Sequence, residues 1–179
     1  MVVTPAACAQ RGADIVREYT ASVALGQGQV LRPAGLRFLP AGQGPEDHLS
    51  RGITAVPPVP LLGSWISAAH RAALVGRPAV RPPAPHPRAG ESLRSAPLTT
   101  TAEETRTCPE LLRECFGPAS LTITYTSADD LPDTLRTLPG GLTASLHGQE
   151  REDGSAFTVC RPRRVRAAVS GTAGPPASL

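Results

Sequence analysis

The spacing of apolar and polar residues divides the first third of the chain into short elements. Apolar residues recur at helical spacing over residues 9–25, which predicts a helix. The run Leu36-Arg37-Phe38-Leu39 is largely apolar and ends at Pro40, which predicts a strand. Residues 41–48 then favour a loop that opens a short helix near Glu46.

A further helix is predicted in the middle of the chain. Ser64 is a candidate N-cap, and apolar residues follow it at helical spacing as far as Leu74. Residues 76–92 contain five prolines and almost no apolar periodicity. We therefore expect the segment 76–92 to be a loop or a disordered insert.

Residues 95–126 predict two strands with a helical turn between them. Residues 95–101 favour a strand, and Pro109 precedes a short helical turn. Residues 120–126 alternate apolar residues with Thr, and this period of two predicts a strand with its two faces in different surroundings.

The next segment completes a strand–helix–strand unit. Ser127 is a candidate N-cap for a helix that extends to residue 138, and residues 142–147 predict a strand. Strands that alternate with helices are typical of βαβ units, which build parallel sheets. The predicted class is therefore α/β, with a mostly parallel sheet and flanking helices.

Beyond Gly148 neither periodicity continues. We expect one partial domain over residues 1–150 and a poorly ordered, disordered tail over residues 151–179. The tail holds a cluster of four arginines within residues 161–166. This cluster has two interpretations, namely a patch for an anionic partner or a by-product of GC-rich codons read in a shifted frame.

Composition excludes several classes of function. The net charge of +3 does not suggest a nucleic-acid partner. No apolar run approaches the length of a membrane span, and the start of the chain lacks the features of a signal peptide. The four cysteines match neither a zinc pattern nor a disulfide scaffold, and the four histidines are too scattered for a metal site. We therefore expect a cytoplasmic protein with no metal, no membrane contact and no nucleic-acid partner.

Residues 95–148 carry the strongest resemblance to a known family. Within them the motif ECFGP, residues 114–118, matches the Glu-x-Phe-Gly-Pro motif of the aldehyde dehydrogenase superfamily. The segment LPGGLTASLHG, which ends at residue 148, resembles the family sequence a few turns later. The branch that the chain resembles is the NADP-linked one, which handles fatty aldehydes and semialdehydes such as α-ketoglutarate semialdehyde.

Two further stretches resemble the same family. Residues 21–42 are similar to the family sequence around the catalytic cysteine, Gly-Gln-x-Cys. Gly28 and Gln29 match that motif, but Leu31 stands at the position of the cysteine. Residues 61–74 resemble a family helix more weakly.

The resemblance implies covalent catalysis by a cysteine, and this chain lacks the cysteine at the matching position. In the family a cysteine thiolate attacks the aldehyde, hydride passes to the nicotinamide, and water cleaves the resulting thioester. Leu31 has no nucleophilic atom, so no catalytic residue is intact. The family glutamate that activates water would precede Met1, and we find no phosphate-binding glycine motif. We therefore expect the cofactor-binding domain to be absent and NADP not to bind this chain alone.

Glu114 and Phe116 are the candidate cofactor-binding residues. By resemblance, Glu114 would hydrogen-bond the ribose next to the nicotinamide and Phe116 would lie beside it. Both also have a structural explanation, because Glu114 could be a solvated carboxylate at a helix end and Phe116 a core residue. Cys115 lies between them and is interpreted as a structural cysteine rather than a nucleophile.

Three functions remain open for a chain of this kind. The first is a truncated, catalytically inactive remnant of an NADP-dependent aldehyde dehydrogenase, a family that oxidises aldehydes to carboxylic acids. The second is an enzyme assembled in trans with a chain that supplies the cofactor domain. The third is a non-catalytic interaction module that forms an oligomer with a full-length homologue.

Overall fold

The structure is a computed structural model, and it describes residues 1–26, 35–58, 68, 70, 72, 95–112, 119–138 and 145–148. In chain order its elements are β1 (Val2–Val3), α1 (Pro5–Gly26), β2 (Leu36–Pro40), α2 (Pro45–Ala55), β3 (Ala96–Thr101), α3 (Ala102–Thr107), a 3₁₀ turn (Pro109–Leu112), β4 (Ala119–Tyr125), α4 (Asp130–Arg136) and β5 (Leu146–His147).

The strands form one five-stranded sheet in the order β3-β4-β2-β1-β5. Every strand pair in it is parallel. The longest ladders run along β4, which pairs with β2 from Leu36 opposite Leu121 and with β3 from Ala96 opposite Ala119. The predicted α/β class with a parallel sheet is therefore confirmed.

The helices cover both faces of the sheet. Helices α1 and α2 lie on one face, where β1 leads through α1 to its neighbour β2. Helix α3, the 3₁₀ turn and α4 lie on the other face, where β3 leads to its neighbour β4. Because parallel strands need crossovers that pack back onto the sheet, this alternation places a helical layer on each side.

Each face has its own apolar core. Under α1 and α2 the core consists of small and aliphatic side chains, namely Val3, Ala7, Cys8, Ile15, Leu39, Leu49 and Ile53. The core of the opposite face includes Phe38, Leu98, Leu111, Leu121, Ile123, Tyr125 and Leu131. Adjacent residues of β2, such as Phe38 and Leu39, therefore enter different cores, as the pleat of a strand requires.

Helix α1 is longer than the sequence predicts. It spans Pro5–Gly26 rather than residues 9–25, and it is kinked at Arg11, where φ is −130° and ψ is 15°. Pro5 begins the helix, a position that proline tolerates because its missing N–H would have no partner within the helix. None of the helices in the described residues is long and apolar enough to cross a membrane.

Helix α2 was expected only as a short helix near Glu46. It extends from Pro45 to Ala55, with Pro45 at its start and with Leu49 and Ile53 buried one turn apart. Gly52 weakens the helical pattern in the sequence. It allows close packing, however, since a Cβ built at Gly52 would lie 2.7 Å from Thr20 Oγ1 on α1.

Helix α3 was missed, although the sequence carries its signal. Thr101 and Glu104 form a capping box, in which the Thr101 hydroxyl accepts a hydrogen bond from the Glu104 N–H and the Glu104 carboxylate accepts one from the Thr101 N–H. The pattern Thr-x-x-Glu directly after a strand is typical of a helix start. The described part of the helical turn predicted after Pro109 is a 3₁₀ turn, Pro109–Leu112.

Helix α4 begins at Asp130, three residues after the predicted N-cap Ser127. Ser127 instead stabilises the turn before the helix, since its hydroxyl accepts a hydrogen bond from the Asp129 N–H at 3.2 Å and its N–H donates to the Asp130 carboxylate at 3.1 Å. Asp130 also accepts from Arg106 on α3 at 3.3 Å, which joins the two helices. Asp side chains commonly bond nearby backbone N–H groups in this way, and the turn displaces the helix start.

Several predictions lie outside the described residues. These are the helix over 64–74, apart from Ala68, His70 and Ala72, the insert at 76–92, the first part of the strand predicted at 142–147, and the tail at 151–179. They stay predictions.

The close approach of α1 and α2 generates a first prediction. Gly52→Ala is expected to destabilise the chain by about 1–3 kcal/mol, because the new Cβ meets the stiff, β-branched Thr20. Denaturant unfolding measures the change. Thr20→Ala removes the obstacle, so the double variant should recover most of the loss. An unchanged unfolding midpoint for Gly52→Ala would contradict the proposed contact.

The capping box generates a second prediction, on pH. Hydrogen bonds from Thr101 and Thr100 hold the pKa of Glu104 below its ordinary value of 4.5. A carboxyl whose folded pKa is lowered stabilises the fold above the ordinary pKa and loses that contribution as pH falls through the folded value.

We expect Glu104→Gln to keep the capping geometry at neutral pH and to reduce the stability lost on acidification to about pH 3. Glu103→Gln is the matched control, since the Glu103 side chain takes no part in the capping box. Equal acid sensitivity in the Glu104→Gln variant and the unchanged chain would argue against this role.

Candidate functional site

The candidate site residues lie on two connections that enter neighbouring strands. Leu31, Glu114 and Phe116 are outside the described residues, but the borders of their segments are described. One segment ends at Gly35, directly before β2, and the other ends before Ala119, where β4 begins. Since β2 and β4 are adjacent and parallel, both connections reach the same amino-terminal edge of the sheet.

Gly35 marks the end of the connection that carries Leu31. Its φ is +75°, in the left-handed region that glycine adopts without steric cost. A Cβ at Gly35 would meet no atom within 4 Å, so the backbone conformation rather than lack of space favours glycine here. Gly35 thus forms the turn into β2.

Arg37 is a charged residue in the interior next to that turn. It is fully buried, at 0% exposure, on the face of β2 that α1 covers. One terminal nitrogen of its guanidinium donates a hydrogen bond to the Gly35 carbonyl at 2.9 Å. Burial lowers the pKa of Arg37 to about 10, with Tyr19 acting in the opposite direction, so the group stays charged at neutral pH.

Tyr19 on α1 forms the other side of this contact. The centre of the Arg37 guanidinium lies 4.1 Å from the centroid of the Tyr19 ring, within the range of a cation–π interaction. Burial raises the pKa of Tyr19, while Arg37 and Ser120 act to lower it. Ser120, the second residue of β4, is close enough to influence the phenol, although the two groups lack the geometry of a hydrogen bond.

These three side chains lie on the three elements that border the two connections. Arg37 belongs to β2, Ser120 to β4, and Tyr19 to the helix that precedes the Leu31 segment. Ser120 lies one residue before the pair of Leu36 and Leu121, which places it beside the Gly35 turn. Neither Arg37 nor Tyr19 was predicted as a site residue from the sequence. The available signal was one arginine inside the otherwise apolar strand Leu36–Pro40.

The opposite edge of the sheet offers a second location, because ligands in open parallel sheets often bind at the carboxyl ends of the strands. There β2 is followed by Gly42 and Gly44, both with positive φ, and then by the start of α2. The first turn of α2 carries Glu46 and Asp47. Two carboxylates at this position oppose the binding of a phosphate, so among the described residues the junction of β2 and α2 does not favour a phosphate.

The described cysteines do not have the properties of nucleophiles. Burial raises the pKa of Cys8, and the carboxylate of Glu46 adds to the effect. The hydrogen bond from Cys108 to Glu110, at 3.4 Å, raises the pKa of Cys108. Both thiols therefore stay protonated at neutral pH, when a nucleophile must be a thiolate. Cys115 and Cys160 lie outside the described residues.

The described histidines are separate from one another. His70 is buried, His48 is exposed and contacts the Gly44 carbonyl, and burial lowers the pKa of His147. Within the part of the chain that the structure describes, no group of three His, Cys, Asp or Glu side chains could hold a metal ion.

The comparisons with known proteins identify the fold. The chain superposes on a lactaldehyde dehydrogenase from Escherichia coli with a TM-score of 0.70 at 15% identity, covering 93% of this chain and 38% of that chain. For an NAD-dependent benzaldehyde dehydrogenase from Corynebacterium glutamicum the TM-score is 0.69 at 12% identity, covering 94% and 38% of the respective chains.

An NADP-dependent glyceraldehyde-3-phosphate dehydrogenase from Bacillus halodurans, solved with NADP, gives a TM-score of 0.68 at 14% identity, covering 97% of this chain and 38% of that chain. No family model and no curated protein matches the sequence. The chain therefore has the fold of part of an aldehyde dehydrogenase and spans 38% of the length of each of these three structures. Of these three proteins, one is NAD-dependent and one is NADP-dependent.

Proposed function

We propose that this chain is part of an aldehyde dehydrogenase catalytic domain in which the covalent step has been lost. The observation that carries the proposal is the parallel sheet shared with aldehyde dehydrogenases, combined with Leu31 on the connection between α1 and β2. In the family sequence that this connection resembles, a cysteine stands at this position. The family activity is the oxidation of an aldehyde to a carboxylic acid with a nicotinamide cofactor, NADP in the branch that the sequence resembles.

Leu31 removes the step on which the others depend. The reaction needs a thiolate whose electron pair forms a bond to the aldehyde carbon, after which hydride leaves that carbon for the nicotinamide. An isobutyl side chain has no electron pair to donate. The described thiols do not replace it, since Cys8 and Cys108 both have raised pKa values.

The third prediction tests this loss of the covalent step. The purified chain is expected to produce no NADH or NADPH from an aliphatic aldehyde with either oxidised cofactor, measured by the absorbance of the reduced nicotinamide. Aldehyde-dependent turnover by the unchanged chain would contradict the proposal.

A substitution tests whether position 31 is the nucleophile position, in an assay that needs no nicotinamide cofactor. Leu31→Cys is expected to gain rapid acylation by p-nitrophenyl acetate, with about one nitrophenolate released per chain. Val30→Cys places the same thiol one residue away and is the matched control. Equal acylation of the two variants would show that position 31 is not a nucleophile position.

A second function is supported by the edge of the sheet. Strand β3, at the end of the sheet, is six residues long and pairs with β4 along one side within the described residues. An open strand edge presents N–H and C=O groups that a further strand can bind. We propose as the alternative that the chain acts as a non-catalytic interaction module and joins an oligomer of a full-length homologue.

The fourth prediction concerns this association. Mixed with a full-length aldehyde dehydrogenase of the same branch, the chain should co-elute with it in size-exclusion chromatography. Thr99→Pro removes a backbone N–H from this edge strand and should weaken co-elution, whereas Thr99→Val at the same exposed position should not. Separate elution of the unchanged chain and the homologue would argue against the alternative.

A further inference from the structure

The contacts of Arg37 connect its own strand and the turn before it with helix α1. Its guanidinium donates to the Gly35 carbonyl at 2.9 Å, and the same group lies 4.1 Å from the centroid of the Tyr19 ring. Tyr19 lies on α1, the helix that leads into the connection carrying Leu31, and Gly35 is the residue at which that connection ends. One side chain thus contacts the helix that precedes the connection and the residue that ends it.

The start of β4 lies beside the Gly35 turn. Ser120 is buried, at 1% exposure, and directly precedes Leu121, which pairs with Leu36 of β2. Ser120 is also the second residue of the strand that follows the segment with Glu114 and Phe116. The borders of the two connections therefore share one polar cluster, formed by Tyr19, Arg37 and Ser120.

We infer that Arg37 is a positioning residue, which fixes the Gly35 turn against α1 and the start of β4. The inference rests on the proposed function, because that function gives the connection before Gly35 its chemical role. Arg37 does not contact substrate in this proposal. It sets where the ends of the two connections lie relative to each other at the amino-terminal edge of the sheet.

Two properties of Arg37 favour positioning over simple packing. A buried charge opposes folding, and an apolar side chain of similar size would fill the same space at lower cost. The guanidinium is planar, so one face can stack on an aromatic ring while its edge donates hydrogen bonds. This combination fixes both the direction and the distance of Gly35 from Tyr19, and a flexible apolar side chain would fix neither.

The contribution of Tyr19 can be separated into ring and hydroxyl. The stacking depends on the ring face, which phenylalanine retains. Tyr19→Phe should therefore preserve the position of Arg37, whereas Tyr19→Leu should not. Arg37→Lys keeps the positive charge but loses the planar group, and we expect it to behave like Arg37→Met.

The fifth prediction uses hydrogen–deuterium exchange on the full chain. Arg37→Met, Arg37→Lys and Tyr19→Leu are expected to raise exchange several-fold in the peptides with Gly35 and Leu36 and with Ala119 and Ser120. Peptides from α3 and α4 should be unchanged. Tyr19→Phe should match the unchanged chain. Unaltered exchange at both borders in a folded Arg37→Met variant would overturn the inference.

Two controls separate positioning from a general loss of stability. Leu131→Ala removes a buried side chain from the core on the other face of the sheet, and denaturant is used to bring it to the same stability as Arg37→Met. If Leu131→Ala then raises exchange at the same two borders, the role of Arg37 is stability alone and the inference fails. Arg51→Met, on an exposed part of α2, is the matched arginine control and should change neither border.

The link to chemistry is measured in the Leu31→Cys background. Adding Arg37→Met should slow acylation by p-nitrophenyl acetate and shift the pH at which the introduced thiol becomes reactive. If Leu31→Cys alone shows no enhanced acylation, the proposed function fails, while the exchange data still decide the role of Arg37. If acylation is enhanced but does not respond to Arg37→Met, the positioning inference fails and the proposed function stands.

Discussion

The parallel pairing of β2 with β4 determines how the rest of this chain is arranged. Five consecutive residue pairs join the two strands, from Leu36 with Leu121 to Pro40 with Tyr125. Because parallel neighbours cannot be joined by a tight turn, the connections run back over a face of the sheet, and here they form helices. Both faces are therefore covered, and with aromatic residues at only 3% the two cores are built mainly from Leu, Ile, Val and Ala. The same pairing brings the two connections with the candidate residues to one edge.

The sequence was most informative where one face of an element differs sharply from the other. The alternation in β4 predicted the strand to within one residue at each end, because apolar and Thr side chains enter different layers. Helix α2 was underestimated, since Gly52 breaks the pattern and is favoured by a contact with Thr20 that no local rule reveals. Helix α3 was missed despite its capping box. That element was predictable from Thr101 and Glu104, whereas the position of α2 depended on tertiary packing.

The polar cluster of Tyr19, Arg37 and Ser120 at the amino-terminal edge could not be predicted from the sequence. An arginine inside a strand reads as an exposed position, and only the register and the crossover of α1 show that Arg37 is buried against Tyr19. Ser120 is equally ordinary in sequence. What the sequence did provide was the motif-based assignment of Leu31, Glu114 and Phe116, which stays a prediction because those residues are outside the described part of the chain.

At this edge the fold does not depend on the residue that the covalent chemistry needs. The sheet depends on alternating side chains of β2 and β4 and on the left-handed conformation of Gly35, and none of these requires a thiol. A leucine at position 31 can therefore abolish a covalent step without altering the pattern that forms β2. Arg37 differs in this respect, because its buried charge opposes folding while its hydrogen bond and its stacking hold a turn in place. A side chain that contributes geometry at a cost in stability is more readily explained by the arrangement of a site than by the needs of a core.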